Sequence, residues 1–122
     1  MAAKDDFGRA GEDRAAHHFE STGFTIIDRN WRCRAGEIDL VALSRDEIVV
    51  VEVKARTSEA FGHPFEALSA AKRARMWRVG VAWIAEHRDL VQGRRLRFAA
   101  LGLIGPDPAT AQLELLPDLD VR

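Results

Sequence analysis

Two runs of apolar, largely β-branched residues dominate the hydrophobic pattern of this chain. They cover residues 36–43 and 48–54, and the polar link between them reads Ser-Arg-Asp-Glu at 44–47. Strand-forming residues on both sides of a polar turn predict a β-hairpin, here closed with Leu43 opposite Ile48. Both faces of the hairpin are mostly apolar, so we expect it to lie inside a covered sheet.

Charged residues interrupt this hairpin at positions that share one face. Because side chains alternate along a strand, the predicted register places Asp39 opposite Glu52 and Glu37 opposite Lys54. Opposed Cβ atoms lie about 5 Å apart, where two carboxylates repel each other unless a cation lies between them. The pattern therefore predicts a site for Mg²⁺ or Mn²⁺, cations that take oxygen ligands and keep water for a substrate phosphate. Lys54 would hold the phosphate or steer the attacking water.

Other groups bear on this hypothesis. Glu12, in a predicted first helix, is placed to reach the site but equally suits the helix dipole. The carbonyl of Val53 is a candidate oxygen ligand, whereas His63 is interpreted as a loop residue because no second histidine stands at ligand spacing. The alternative is a surface hairpin in which Glu37 pairs with Lys54 and the two opposed carboxylates face solvent.

The remaining pattern predicts an α/β domain spanning residues 1–122. Helical spacing covers 5–21 and 64–87, and strand patterns cover 24–28 (continuing towards 33), 96–103 and 112–116. The expected fold is a mixed β-sheet of about five strands flanked by helices, in the order α-β-β-β-α-β-β.

The long second helix carries two stripes at helical spacing. Small and apolar residues on one stripe are expected to pack on the sheet: Ala67, Ala70, Ala71, Ala74, Trp77, Val81 and Ile84. The other stripe contains Lys72, Met76, Val79 and Trp83. It predicts an additional intrachain contact, a homodimer seam or an aromatic surface for nucleic-acid bases.

Composition limits the function classes. The 122 residues are 47% hydrophobic and 30% charged with a net charge of −1, which argues against a protein that coats nucleic acid. Basic residues are nevertheless concentrated in three runs: Arg29, Arg32 and Arg34; Lys72, Arg73, Arg75 and Arg78; Arg94, Arg95 and Arg97. Next to a carboxylate site, these basic runs are better explained as phosphate contacts than as surfaces that contact only solvent.

The single cysteine, Cys33, excludes an internal disulfide. We expect a cytoplasmic protein without a membrane segment, because no apolar run approaches roughly 18 residues.

A set of spaced motifs resembles the YraN-like family of small bacterial proteins, over about residues 7–100. The matching residues are Gly8, Gly11, Glu12, the segment 36–40, the segment 51–54, Arg56, Gly62 and Lys72. That family is assigned to the PD-(D/E)xK nuclease superfamily near the Holliday-junction resolvases, which implies a restriction-endonuclease-like core. The resemblance implies that Asp39 and Glu52 are metal ligands, Lys54 the catalytic lysine and Glu12 a further site residue. It also implies phosphate contacts by Arg56 and Lys72, to which the basic run adds Arg75.

Three positions depart from the family pattern. Ile38 stands where the superfamily motif has proline, Ala55 replaces a small hydroxyl residue, and Ala99 stands where relatives tend to carry aspartate. The tail after Leu103 matches weakly. The sequence hypothesis is a divalent-metal-dependent DNA endonuclease, with branched or junction DNA among its expected substrates and a homodimer compatible with it. The alternatives are a non-catalytic nucleic-acid-binding module and a protein-interaction domain on the same scaffold.

Overall fold

The computed structural model describes residues 2–121, with side chains from residue 6 onwards. Its helices are α1 (Ala2–Ser21), α2 (Ala70–Glu86) and the short α3 (Arg88–Val91), and a 3₁₀ turn covers Pro64–Ala67. Its strands are β1 (Thr25–Cys33), β2 (Gly36–Leu43), β3 (Glu47–Arg56), β4 (Arg95–Ile104) and β5 (Gln112–Leu116). The predicted strands are therefore present, and only α3 and the 3₁₀ turn were not anticipated.

The five strands form one mixed sheet in the order β1-β2-β3-β4-β5. Strands β3 and β4 are parallel, and the other neighbours are antiparallel. A parallel pair needs a crossover connection, and α2 supplies it. The mixed five-stranded sheet, its flanking helices and the order α-β-β-β-α-β-β confirm the predicted α/β fold class.

Each face of the sheet is covered by one long helix. On the first face α1 buries Ala15 and Phe19 against Leu40, Val51 and further apolar side chains of the inner strands. On the second face α2 packs against the alternate residues of the same strands. Because β2 and β3 are covered on both sides, their nearly continuous apolar runs have a physical reason. Ala99 is fully buried in the α1-side core, so its methyl group is a packing group.

The assignment of the α2 faces from sequence was wrong. Met76, Val79 and Trp83, predicted as a second stripe and a candidate interface, are 1–6% exposed and form the sheet-facing side of the helix. Val81, predicted to face the sheet, is 43% exposed. The larger side chains bury more apolar area against the sheet, and Gly80 lets α2 approach Phe98 closely. Of the three predicted roles, the intrachain contact is the one present, and these residues are not accessible to a second chain or to bases.

The segment before α2 is not a continuous helix. Pro64–Ala67 forms the 3₁₀ turn, and Ser69 then caps α2 by accepting a hydrogen bond from the Lys72 backbone N–H at 3.1 Å. An ideal Cβ at Gly102 would lie 3.0 Å from the Phe65 ring, so the turn packs directly on β4. This packing holds the loop after β3 beside the sheet.

Within the part of the chain that the structure describes, no helix is long and apolar enough to cross a membrane.

Candidate metal and nucleic-acid site

The site lies where strands β2 and β3 stop pairing. The predicted register with Leu43 opposite Ile48 is confirmed, and the described ladder runs back only as far as Leu40 opposite Val51. Beyond that pair, Oδ2 of Asp39 accepts a hydrogen bond at 2.8 Å from the backbone N–H of Val53. A side chain thus satisfies a backbone donor that a regular ladder would pair, and it fixes the Asp39 carboxylate beside β3.

Asp39 is electrostatically unusual. Burial, reinforced by the nearby charges of Glu52 and Glu12, raises its pKa from 3.8 to about 7. The Val53 N–H and the Lys54 ammonium act in the opposite direction, but they do not cancel the effect. The carboxyl group therefore lies in a position that favours either a proton or an additional cation.

Among the residues that the structure describes, Glu52 is the charged residue that is buried, and only 6% of its surface is exposed. Its Oε2 contacts Lys54 Nζ at 3.3 Å and Lys72 Nζ at 3.2 Å. Lys54 comes from the same strand, whereas Lys72 extends from the first turn of α2. One carboxylate oxygen thus joins the sheet to the helix through two ammonium groups, which are themselves only about a quarter exposed.

Glu37 does not join this cluster. It lies opposite Arg32 of β1 and forms an ion pair with it at 3.0 Å, with both side chains largely exposed. The expectation that Glu37 faces Lys54 is wrong, because the β2–β3 ladder has already ended and β1 supplies the nearer cation. Three of the four predicted charges, Asp39, Glu52 and Lys54, remain together.

Glu12 approaches from the other helix. Its Oε1 accepts a hydrogen bond at 3.1 Å from the side-chain amide of Asn30, and its charge acts on Asp39. Asn30 has a φ of 53°, a left-handed conformation that asparagine tolerates better than most residues. Asparagine in the middle of β1 is the sequence signal for this irregularity.

A cleft of about 240 Å³ opens beside these groups. It is lined by residues from α1 and from the carboxyl end of β3: Phe7, Gly8, Glu12, Val53, Lys54, Ala55 and Arg56. The cleft therefore has a carboxylate on one wall and two cations on the other. An anionic ligand bound to a metal ion would suit this lining, because its negative charge could contact the two cations and its metal ion could contact the carboxylate.

The donor set fits a hard cation that needs few protein ligands. Among the described residues, no three His, Cys, Asp or Glu side chains are positioned to hold a metal ion together. Mg²⁺ commonly takes one or two carboxylates and completes its shell with water and substrate oxygens. Asp39 of β2 and Glu52 of β3 would supply two carboxylates to such a cation, and the Val53 carbonyl of β3 would be a third oxygen. Burial is the largest cause of the raised pKa of Asp39, and the charges of Glu52 and Glu12 add to it, so a bound cation would favour the ionised carboxylate.

The predicted phosphate contacts lie in three different settings. Lys72 is in the carboxylate cluster, and its link to Glu52 could not be read from local spacing. Arg56 lines the cleft, with its guanidinium donating to the Ala55 carbonyl at 3.2 Å. Arg75 is exposed on α2, and its aliphatic stem lies beside Gly36. His63 Nδ1 accepts from the Phe65 N–H at 3.0 Å and its Nε2 contacts Glu114, so it orders the loop.

Comparisons with known proteins bear out the sequence resemblance. Residues 11–103 match the family model described as "Uncharacterised protein family UPF0102", the YraN family. A "UPF0102 protein" of Arthrobacter sp. (strain FB24) is 52% identical over 101 residues, covering 83% of this chain and 86% of the relative. Another, from Paenarthrobacter aurescens (strain TC1), is 47% identical over 116 residues, covering 95% of this chain and 94% of the relative. Among solved structures, a repair endonuclease from Pyrococcus abyssi aligns with a TM-score of 0.47 and 19% identity, over 83% of this chain and 40% of that one.

Proposed function

We propose a function for this chain, which belongs to the uncharacterised protein family UPF0102. In this proposal it is a divalent-metal-dependent endonuclease that hydrolyses phosphodiester bonds in DNA. Asp39 and Glu52, with the Val53 carbonyl, would hold Mg²⁺ or Mn²⁺. Lys54 would contact the scissile phosphate or the attacking water, and Glu12 would face the same water or cation. A bound cation would supply Lewis-acid polarisation of the phosphate and acidify a water molecule.

One observation carries the proposal. Two carboxylates from adjacent strands lie in a largely buried position, and the pKa of Asp39 is raised to about 7 although Lys54 is close by. Strongly perturbed carboxyl groups in a cleft are more typical of functional sites than of stabilising ion pairs. A purely structural pair would be satisfied by its lysines, whereas here a further positive charge would still be favourable.

The positive charges of Lys54 and Lys72 are not fully neutralised by Glu52, so both lysines could also contact an anionic substrate. Lys54 and Lys72 together carry two positive charges and share a single carboxylate oxygen of Glu52. A DNA phosphate entering the cleft would therefore find at least one ammonium group not fully compensated by its partner. Arg56 at the cleft wall and Arg75 on the exposed side of α2 would contact neighbouring phosphates, which position DNA without reading its sequence.

A second function is favoured by the same ion-pair cluster. Glu52 is already neutralised by two ammonium groups, an arrangement that also stabilises a scaffold with no metal. A non-catalytic nucleic-acid-binding module would use Lys54, Lys72 and Arg56 as phosphate contacts. It would bind DNA in a salt-dependent manner and release it unchanged.

Cleavage of end-labelled single-stranded, duplex, flapped and four-way-junction DNAs with Mg²⁺ or Mn²⁺ separates these functions. Wild type is compared with Asp39→Asn and Lys54→Met, and with Asp46→Asn as a control that removes a carboxylate from the exposed β2–β3 turn. The endonuclease predicts metal-dependent products that both site variants lose and the control retains. DNA binding without products on any substrate, or products undiminished in Asp39→Asn, would contradict hydrolysis at this site.

A further inference from the structure

The loop between β3 and the 3₁₀ turn presents an aromatic ring to solvent. Phe61 is 100% exposed, whereas the other exposed large apolar residues of the described chain, Val81 and Leu116, are 43% and 37% exposed. Burial of an aromatic side chain removes a large apolar area from water, so full exposure forgoes that stabilisation. We propose that Phe61 is a stacking platform for an unpaired nucleobase, and that the substrate class of the proposed nuclease is DNA with single-stranded or branched segments.

The loop is built to hold this ring outwards. The Gly62 N–H donates to the Glu59 carbonyl at 2.9 Å, which closes a turn around Phe61. Gly62 has a φ of +101°, and an ideal Cβ there would lie 2.5 Å from Glu66 Oε1. The His63 N–H donates to Glu66 Oε2 at 3.2 Å, and these contacts tie the turn to the 3₁₀ segment. Phe61 therefore stands on an ordered turn, which reduces the entropy lost when a ligand binds.

This turn is close to the proposed catalytic groups. Phe65, four residues after Phe61, packs over Gly102, and Gly102 lies directly opposite Lys54 in the β3–β4 ladder. Four residues span at most about 14 Å of extended chain. Adjacent phosphates on a single strand are separated by about half that distance, so a base on Phe61 would belong to a nucleotide within a few positions of the phosphate at Lys54. The inference in this form rests on the proposed function.

The surroundings of the ring favour a base over a protein partner. The loop residues beside it are small or polar, namely Thr57, Ser58, Glu59, Ala60 and Gly62. A protein interface core needs a contiguous apolar patch, which one ring on a polar turn does not supply. Any nucleobase, by contrast, offers a flat face to a single aromatic ring. The Glu59 carboxylate also disfavours a phosphate at the tip of the turn, whereas Arg56 and Lys54 at the end of β3 attract the backbone.

Stacking requires a base that is not already stacked in a duplex. A continuous double helix presents only its edges and backbone to a protruding ring, so Phe61 gains nothing from it. A flap, a single-stranded tail or the crossover of a junction presents an open base face. The ring therefore discriminates between DNA structures and not between sequences.

Equilibrium binding in EDTA, where the proposed hydrolysis has no cation, tests this inference on intact protein. Wild type, Phe61→Ala, Phe61→Trp and the control Val81→Ala are titrated against duplex DNA and flapped DNA that carries 2-aminopurine next to the branch point. Loss of one aromatic stack predicts a rise in Kd of about 5- to 150-fold for Phe61→Ala on flapped DNA. Duplex affinity should stay within about twofold, and Phe61→Trp should retain affinity. The change in 2-aminopurine fluorescence expected on binding to wild type should be lost in Phe61→Ala alone.

The outcomes separate this inference from the hydrolytic one. Flapped-DNA binding by Phe61→Ala equal to that of Val81→Ala, or an equal loss on duplex DNA, overturns the stacking role. Phe61-dependent binding combined with no metal-dependent cleavage supports the stacking role and contradicts the endonuclease. Wild-type protein that binds no DNA overturns both.

Discussion

The Asp39 carboxylate accepts a hydrogen bond from the Val53 N–H at 2.8 Å. Asp39 lies one residue and Val53 two residues beyond the last described β2–β3 pair, Leu40–Val51. The two strands separate at this point, and the side chain occupies the gap. The same contact that fixes Asp39 also holds it in a largely buried position near two other carboxylates. Stability and proposed function therefore make opposite demands on this residue.

Asp39→Asn is expected to stabilise the metal-free protein at pH 8, because the amide oxygen can still accept the Val53 N–H without a buried charge. The folded-state pKa of Asp39 is about 7 and its ordinary value is 3.8, so the folded state retains a proton that the unfolded chain releases. Wild-type stability therefore falls as pH rises from about 4 to 7, and it stays lower above that. Urea unfolding in EDTA measures this effect. The unfolding free energy of Asp39→Asn minus that of wild type should increase by about 2–4 kcal/mol between pH 4 and pH 8.

Adding Mg²⁺ at pH 8 should reduce this difference, because wild type gains a ligand that the variant holds poorly. Asp46→Asn reports the effect of removing one negative charge from an exposed position. If Asp39→Asn is less stable than wild type at pH 8 in EDTA, the carboxylate is a stabilising group and the argument that its position disfavours the charged form fails.

Glu52 and Lys72 are expected to be strongly coupled. Lys72→Met removes one of two ammonium groups from a carboxylate that is 6% exposed, and Glu52→Gln leaves two half-buried lysines without a counter-charge. Each single change should cost about 1–3 kcal/mol of unfolding free energy, and the double variant should lose less than their sum by at least about 1 kcal/mol. Chemical denaturation of the four proteins of this cycle measures the coupling.

The exposed pair of Arg32 and Glu37 provides the matched cycle. Its side chains are 79% and 48% exposed, so Arg32→Met and Glu37→Gln should be nearly additive. Equal coupling in the two cycles would show that burial adds nothing to the Glu52–Lys72 contact.

The hairpin was predictable because strand periodicity and turn length act over neighbouring residues. The period of two alone places Leu43 opposite Ile48 and brings Asp39 towards Glu52. The separation of the strands at Asp39 was not predictable, since it depends on a hydrogen bond that a regular ladder does not contain. Glu37 shows the consequence, because its pairing with Arg32 is set by β1.

The faces of α2 and the role of Lys72 depend on tertiary packing. Two stripes satisfy the helical period, and only the sheet decides which one is buried. Small residues suggested close approach, but Trp83 and Val79 bury more apolar area, with Gly80 as the contact point. Lys72 meets Glu52 across 20 positions of chain, a distance at which residue spacing carries no information.

Glu47 at the start of β3 should confer stability that depends on pH. Hydrogen bonds from Arg97 and Arg95 lower the pKa of Glu47 from 4.5 to about 2. A lowered folded-state pKa contributes stability above the ordinary value and loses it as pH falls towards 2. The stability of wild type minus that of Glu47→Gln should be about 1–2 kcal/mol at pH 6 and should decline between pH 4.5 and 2. A difference that is constant over this range would contradict the ion-pair origin of the effect.

The same substitution at two helical glycines should have opposite effects on stability. At Gly80 of α2 an added Cβ would lie 2.5 Å from Phe98 Cζ, so Gly80→Ala forces the ring or the helix to move. We expect a loss of about 1–3 kcal/mol despite the better helix propensity of alanine. At Gly8 of α1 an added Cβ meets nothing within 4 Å, and Gly8→Ala should raise stability by about 0.5–1 kcal/mol. Thermal and urea unfolding of both variants measures the two effects, and stabilisation by Gly80→Ala would mean that α2 does not approach the sheet at that glycine.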